Sequence, residues 1–371
     1  MKFLSILTTR WGPIITGAVV GILAALLVEW GNPGNMGICV ACFTRDIAGA
    51  LGMHRASVVQ YIRPEIIGFI LGSFVAALLF REFKPRTGSA PIIRFMLGFF
   101  AMNGALIFLG CPWRAMLRLA GGDWNALFGI LGLVIGIIIG IFFLKNGFSL
   151  KRNHKAPAMV GLVLPIIAVT LLLLLIFKPV FSGSGEAGSA PIFFSAKGPG
   201  FQHAILIVSL IIGLLVGFLA QRSRFCTVGA IRDLVLLKDF HLFNGLVAFV
   251  VFAFLTNLLI SGVGTTAGFN PGFEGQPAAH TDWIGNVMGM LLAGLAFTLA
   301  GGCPGRQIFL SGEGDGDAGI FVLGMLVGAG FAHNFGMSAS GAGLGPFSWH
   351  IIVVGMIFCI VVGFTMREQM N

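Results

Sequence analysis

Ten long apolar runs, separated by short polar segments, dominate the hydrophobic pattern of the chain. Each run approaches the roughly 20 residues that a helix needs to cross a bilayer core of about 30 Å, since a helix rises about 1.5 Å per residue. Strands would not need runs of this length, so the pattern predicts an all-α polytopic membrane protein. The predicted spans are 12–30, 63–80, 91–110, 124–144, 158–178, 202–220, 242–261, 282–300, 318–333 and 348–366.

Four shorter segments between these spans mix apolar residues with Arg and Asp, and each one contains a cysteine or follows one closely. They are too short to cross a bilayer and too apolar for ordinary loops. We therefore predict short half-membrane helices after the cysteine motifs. The four segments are 37–52, 112–120, 225–237 and 304–311.

Two sequence motifs occur twice, in the same order, and a repeat of this kind indicates a duplicated architecture. In the first motif a cysteine is followed six and seven residues later by Arg and Asp; the copies are Cys39, Arg45 and Asp46, and Cys226, Arg232 and Asp233. The second motif is Gly-Cys-Pro-x-Arg; its copies are Cys111, Pro112 and Arg114, and Cys303, Pro304 and Arg306. The copies of the two motifs are 187 and 192 residues apart. Two offsets as similar as these are hard to obtain by chance.

Residues 1–178 and 201–371 then form two repeats of five spans each, joined by the external linker 179–200. Because five is odd, the second repeat starts on the opposite side of the membrane, and the two repeats are predicted to be inverted. With the N-terminus inside, the cytoplasmic segments carry sixteen Lys and Arg residues and the external segments carry seven. The positive-inside rule therefore predicts that both termini are cytoplasmic.

Composition adds two exclusions to this picture. The chain is 57% hydrophobic and 10% charged, with a mean hydropathy of +0.96, so lipid must be its main solvent. The net charge is +9, but the basic residues do not form a dense block with interleaved aromatics. We therefore expect no nucleic-acid partner. The six cysteines are spread through apolar sequence, which argues against a disulfide framework.

The Gly-Cys-Pro segments point to anion binding. Proline is well tolerated at the first position of a helix and glycine permits a sharp turn, so Cys111 and Cys303 are predicted to stand at helix starts. Unpaired backbone N–H groups and the helix dipole stabilise an anion there, and Arg114 and Arg306 could strengthen the field. The alternative is that each segment only breaks a helix for packing.

Cys39 follows the breaker cluster of residues 32–37, so it too is predicted near a helix start, and Cys226 matches it in the second repeat. The charged pairs of this motif could pair internally or contact a substrate, because charges at membrane depth seldom stay alone. Cys359 has no repeat partner and is predicted to be core.

Cys42 lies three residues after Cys39 and would share a helix face with it, so the two could form a redox dithiol. The second repeat has Gly229 at that place, and no strand–helix–strand pattern accompanies the pair. No histidine or second CxxC stands at ligand spacing and no Walker sequence occurs, so we expect no metal, no cofactor and no ATP hydrolysis.

With these motifs the chain resembles the YeeE/YedE family of bacterial membrane sulfur-compound transporters. The resemblance implies an inner-membrane protein that takes up a thiosulfate-like anion through spaced cysteines, and Cys39, Cys111 and Cys303 match the family's pathway positions. Cys226 completes the repeat symmetry, whereas Cys42 is a departure from it. The stretch around Cys39 is most similar to the YedE branch, which implies a link to selenium and a small soluble sulfur or selenium carrier as a partner.

We therefore expect a transporter, not an enzyme, whose thiols and helix starts pass a sulfur- or selenium-containing anion, thiosulfate- or selenite-like. Helix termini and arginines favour negative charge, and sulfur atoms offer weak donors and a polarisable lining. Two alternatives stay open. One is a thiol-disulfide oxidoreductase that uses Cys39 and Cys42; the other is a membrane subunit of a larger complex without a pathway of its own.

Overall fold

The structure is a computed structural model that describes residues 5–178, 192–261 and 268–367. Long helices occupy all ten predicted spans, and this confirms the all-α class. In chain order, with short helices included, the α-helices are α1 Gly12–Glu29, α2 Val40–Ala50, α3 Pro64–Leu79, α4 Pro91–Phe108, α5 Pro112–Ala120, α6 Asn125–Lys145, α7 Ala158–Phe177, α8 Leu206–Ser223, α9 Thr227–Leu237, α10 His241–Ser261, α11 Trp283–Ala300, α12 Pro304–Gly312, α13 Gly316–Asn334 and α14 Ser348–Thr365.

The four predicted half-helices are the short helices α2, α5, α9 and α12, of 9 to 11 residues each. A short 3-10 helix, Ile6–Thr8, precedes α1, and the strands β1 (Arg86–Thr87) and β2 (His154–Lys155) form a small antiparallel ribbon. Within the described residues, nine helical segments are long and apolar enough to cross a membrane. The shorter α3 is the remaining long apolar helix, and together they make a multi-pass membrane protein.

Helices of the first half pack mainly against helices of the second half. The largest interfaces are α6 with α11, α1 with α10, α3 with α8 and α4 with α13. By their order in the two halves, α1, α3, α4 and α6 correspond to α8, α10, α11 and α13. When each helix is replaced by its counterpart, the pair α6–α11 becomes α13–α4, and the pair α1–α10 becomes α8–α3. The packing of these helices thus repeats the pairing that the sequence motifs define, while α7 and α14 lie outside this pattern.

Glycines make the closest of these helix contacts possible. A Cβ added at Gly132 would stand 2.0 Å from the carbonyl oxygen of Val287, and one at Gly136 would stand 2.2 Å from that of Leu291. The two glycines are one turn apart on α6 and face α11, which is the small-residue packing known from membrane helices. The four-residue spacing of these glycines is typical of close helix packing, and they serve that role here.

Most of the predicted linker 179–200 lies outside the described residues. Its end packs onto the short helix α2 and the segment after it: Phe193 donates a backbone hydrogen bond to Ala50 (2.8 Å), and Ser195 donates one to Gln60 (2.9 Å). The linker therefore ends at the same face of the molecule as the segment between α2 and α3.

Candidate functional site

Each of the four motif cysteines is the N-cap of a short helix: Cys39 of α2, Cys111 of α5, Cys226 of α9 and Cys303 of α12. Pro112 and Pro304 are the first residues of their helices, where a missing N–H costs nothing. The sulfurs of Cys39 and Cys226 also accept the N–H three residues on, from Cys42 at 3.3 Å and Gly229 at 3.2 Å. These thiols thus occupy the place of the oxygen that usually caps a helix.

The backbone breaks in the same way before all four cysteines. Two residues ahead of each one, a residue with positive φ ends the preceding helix or turn: Gly37 at +50°, Leu109 at +63°, Arg224 at +58° and Gly301 at +91°. Left-handed residues of this kind commonly terminate helices, and glycine adopts the conformation without strain. The chain is thereby turned so that the cysteine opens a new helix.

Three cysteines meet in what we call the first-half thiol group: Cys39, Cys42 and Cys111. The Sγ atoms of Cys39 and Cys42 are 2.8 Å apart, and those of Cys39 and Cys111 are 3.8 Å apart. None of the three residues is more than 1% exposed, and all six cysteines of the chain are free thiols. Cys42, the extra thiol, therefore belongs to the same cluster as the two motif cysteines.

The second-half thiol group consists of Cys226 and Cys303. Their Sγ atoms are 3.6 Å apart, and the backbone N–H of Cys303 donates to the sulfur of Cys226 at 3.5 Å. Both residues are at most 4% exposed. The structure thus brings the four predicted cysteines into two contact groups, one for each half.

The two motif arginines differ in what they contact. Arg114 is fully buried, and its guanidinium donates to the sulfur of Cys42 at 3.3 Å and to the carbonyls of Asn35 (3.1 Å), Leu109 and Ala278 (2.9 Å). Arg306 instead pairs with Glu313 at 3.2 Å. Of the two, only Arg114 contacts a thiol. The two arginines are therefore equivalent in sequence position but not in their contacts.

The charged pairs of the first motif also differ. Asp46 is fully buried and pairs with both Arg45 (2.6 Å) and Arg63 (2.8 Å), neither of which is more than 3% exposed. The second copy, Arg232 with Asp233 at 2.8 Å, is 28% and 19% exposed. The sequence did not single out Arg63, and the only signal was a charge at the predicted start of α3.

A cavity of about 620 Å³ lies next to the first-half thiol group. Its walls include Arg45 and Arg114, and Met36 and Leu109 separate it from the thiols. The carbonyl of Met36 accepts the N–H of Cys39 at 2.8 Å, and that of Leu109 accepts the thiol of Cys42 at 3.5 Å. One layer of residues therefore stands between the cavity and the buried sulfurs.

All segments that line this cavity belong to one end of the helix bundle. Apart from Arg45, Arg114 and His333, which lie on α2, α5 and α13, the lining residues lie in the connections that follow α1, α2, α4, α7, α10 and α13, and these include residues 33–36, 56–59, 198–202, 277–278 and 338–341. At the opposite end, Glu82 and Glu313 form ion pairs with arginines, among them Arg222, Arg224 and Arg306. The nine-residue helix α12 links the second-half thiol group to that end, because Cys303 is its N-cap and Glu313 is its C-cap.

His280 is a further polar residue that the sequence analysis did not single out. Burial lowers the pKa of its ring, and its Nε2 donates to the carbonyl of Ile107 at 2.7 Å. It thereby ties the segment before α11 to the end of α4, just ahead of Cys111. In the part of the chain that the structure describes, no cluster of three or more His, Cys, Asp or Glu residues is arranged to hold a metal ion.

The fold and the thiol groups define a multi-pass membrane protein with cysteine-capped short helices in its interior. A family model described as "Sulphur transport" matches residues 2–112 and 222–358, which is well over half of the chain. The chain belongs to this sulphur transport family, the YeeE/YedE family that the motifs indicated.

Two known relatives of the chain share one name. The chain is 33% identical over 113 residues to the thiosulfate transporter TsuA of Escherichia coli (strain K12), and the match covers 30% of each chain. It is 34% identical over 147 residues to the thiosulfate transporter TsuA of Spirochaeta thermophila, with 39% of each chain covered. The matches thus span well under half the length of these relatives. Both relatives are named as transporters, and the oxidoreductase alternative is therefore not favoured.

Proposed function

We propose that this protein is an inner-membrane transporter that takes up a thiosulfate-like sulfur anion along a path between its two thiol groups. The observation that carries the proposal is the pairing of cysteines at helix starts: Cys39 with Cys111 at 3.8 Å, and Cys226 with Cys303 at 3.6 Å. The sulphur transport family and the two thiosulfate transporters that match the chain support it.

Helix starts and thiols suit such an anion for separate reasons. The first backbone N–H groups of a helix are unpaired and its dipole places roughly half a positive charge there, so α2, α5, α9 and α12 each favour a negative ligand. A thiol donates a weak S–H hydrogen bond and has a polarisable sulfur, which suits a large, soft sulfur anion better than a small hard one. Arg114, beside Cys42, adds a fixed positive charge.

The path is proposed to run through the membrane because the halves are inverted repeats, residues 1–178 and 201–371. Two observations support this: corresponding helices of the two halves form equivalent packing pairs, and a residue with positive φ stands two positions before each motif cysteine. The cavity beside Arg45 and Arg114 is then external, and the ion-paired end that contains Glu313 is cytoplasmic, as are both termini. The predicted supporting pairs, Arg45 with Asp46 and Arg232 with Asp233, are proposed to hold α2 and α9 in place.

Sulfur is the proposed substrate element, with selenium as the competing choice. The family description and the relatives' names support sulfur, and the likeness of the Cys39 region to the YedE branch supports selenium. A small soluble carrier that receives the sulfur or selenium compound at the cytoplasmic face is proposed as a partner.

Uptake by the purified full-length protein in liposomes tests the proposal. We expect radiolabelled thiosulfate to accumulate, with selenite taken up more slowly and sulfate excluded. Cys111→Ala and Cys303→Ala should each reduce thiosulfate uptake by more than about tenfold, because each removes a donor from the path.

Cys359→Ala is the matched control, because Cys359 is equally buried but lies in α14, away from both thiol groups. Its uptake should equal that of the wild-type protein. Wild-type rates in both Cys111→Ala and Cys303→Ala would refute the thiol path, and faster uptake of selenite than of thiosulfate would reassign the substrate.

A further inference from the structure

Trp113 connects the segments that carry the two thiol groups. It stands two residues after Cys111, on α5, and is fully buried. Its ring packs against Phe225, with centroids 5.8 Å apart, and Phe225 directly precedes Cys226. The same ring faces Gly305, two residues after Cys303. One side chain from the first half therefore packs against residues within two positions of each cysteine of the second-half thiol group.

Gly305 and Trp113 occupy equivalent positions in the two Gly-Cys-Pro-x-Arg motifs. A Cβ added at Gly305 would meet the Cζ2 atom of Trp113 at 3.3 Å, which is tighter than most real contacts. The absence of a side chain at Gly305 is thus what makes room for the indole. Phe69, Phe249 and Phe309 complete the packing around the ring, with centroids 5.9–6.0 Å away. This unequal pair packs α5 of the first half against α12 of the second half.

The indole N–H of Trp113 is buried and has no hydrogen-bond partner among residues 5–178, 192–261 and 268–367. Buried polar groups are nearly always paired, and an indole nitrogen can only donate, so an unpaired one calls for an explanation. The ring atom bonded to this nitrogen, Cε2, would lie 3.4 Å from a Cβ at Gly305. The indole nitrogen, bonded to Cε2, therefore lies near the first turn of α12, whose own backbone N–H groups attract anions.

We propose that Trp113 is the selectivity barrier between the two thiol groups: its ring closes the passage, and its N–H donates to an oxygen of a sulfur oxyanion that passes from Cys111 to Cys303. This inference rests on the proposed transport function. An anion that accepts hydrogen bonds from both a thiol and the indole displaces the ring from Gly305. A chloride ion is a single acceptor atom and does not span two separate donors as an oxyanion with several oxygens does.

Two substitutions separate the two parts of this role in liposomes that contain the full-length protein. Trp113→Phe keeps an aromatic ring but removes the N–H, and should lower thiosulfate uptake about tenfold, the loss expected for one hydrogen bond to a charged group, without admitting chloride. Trp113→Ala opens the passage and should raise chloride leakage at least about tenfold, since a gap replaces the buried indole.

Trp124→Phe is the matched control, because Trp124 is 45% exposed at the start of α6 and its substitution should leave both fluxes at wild-type values. Each variant must elute as a single species in size-exclusion chromatography, which shows that it is folded. If Trp113→Ala fails this test, Trp113→Leu is used in its place. Wild-type thiosulfate uptake by Trp113→Phe would overturn the donor role, and a chloride-tight Trp113→Ala or Trp113→Leu would overturn the barrier.

Failure of the proposed function gives a different result. If the wild-type protein takes up no thiosulfate, the transport proposal and the donor role fall together. Chloride leakage through Trp113→Ala in the same vesicles still decides whether Trp113 closes a passage.

Discussion

Arg114 and Arg306 show how residues at equivalent sequence positions acquire different surroundings. Arg114 is enclosed by three backbone carbonyls and the sulfur of Cys42, and among the residues that the structure describes no carboxylate is hydrogen-bonded to it. Arg306 faces the carboxylate of Glu313, which also pairs with Arg224. A buried guanidinium bound to neutral acceptors keeps more of its positive field than one beside a carboxylate. Arg114 is therefore the arginine that we expect to attract an anion.

Substitution by lysine distinguishes the two arginines. Arg114→Lys cannot reproduce the planar fork that reaches several carbonyls, so we expect thiosulfate uptake in liposomes to fall about tenfold. Arg306→Lys retains a positive charge for Glu313, and its uptake should stay within about twofold of the wild-type rate. Equal losses in the two variants would contradict this assignment, and thermal unfolding of each variant would show whether lost uptake reflects lost folding.

At the scale of elements, close contact between helices depends on glycine. Gly136 on α6 lies against the backbone of Leu291 on α11, in the largest interface between the two halves. The same relation recurs between α4 and α13, where a Cβ at Gly324 would stand 2.1 Å from the carbonyl oxygen of Phe95. Lipid does not drive apolar helices together, so such backbone contact is a main source of their association.

Gly136→Ala should therefore separate α6 from α11. A new Cβ would collide with backbone, and overpacking of this kind costs about 1–3 kcal/mol, more than alanine gains as a helix former. The melting temperature of the protein in detergent is expected to fall accordingly. Gly341→Ala is the matched control, because its Cβ would meet its nearest neighbour, Ala279, at an ordinary 3.8 Å. A melting temperature unchanged by Gly136→Ala would argue against tight α6–α11 packing.

At the scale of the whole molecule, the two ends of the bundle have different chemistry. One end holds the cavity beside Arg45 and Arg114, and the other holds the ion pairs of Glu82 and Glu313. The first-half thiol group lies next to the cavity, and α12 links the second-half group to the ion-paired end. On the path that we propose, an anion that enters the cavity would meet the first-half group before the second-half group.

Thiol labelling in intact cells tests which end faces outward. Ser340 at the cavity and Lys151 at the other end are both exposed, whereas every native cysteine is at most 4% exposed, so background labelling should be low. A membrane-impermeant maleimide should label Ser340→Cys in intact cells, and Lys151→Cys only after the membrane is permeabilised. The reverse result would turn the proposed topology upside down.

The sequence by itself determined the local features of this protein. The ten long helices and four short ones follow from the length of apolar runs and from Pro112, Pro304 and the glycines, which act on the backbone within one or two turns. The motif spacing likewise placed all four cysteines at helix starts. Such features depend on neighbouring residues in the chain. An apolar run long enough to cross a bilayer also has few alternatives to a helix.

Only the tertiary structure decided which residues meet. The division of the cysteines into two thiol groups, the pairing of Arg63 with Asp46, and the fit of Trp113 against Gly305 all join residues from different helices. The repeat predicted equivalence for Arg114 and Arg306 because it records spacing along the chain. Their contacts differ because the elements packed opposite them differ, and a single sequence does not specify those neighbours until the helices pack.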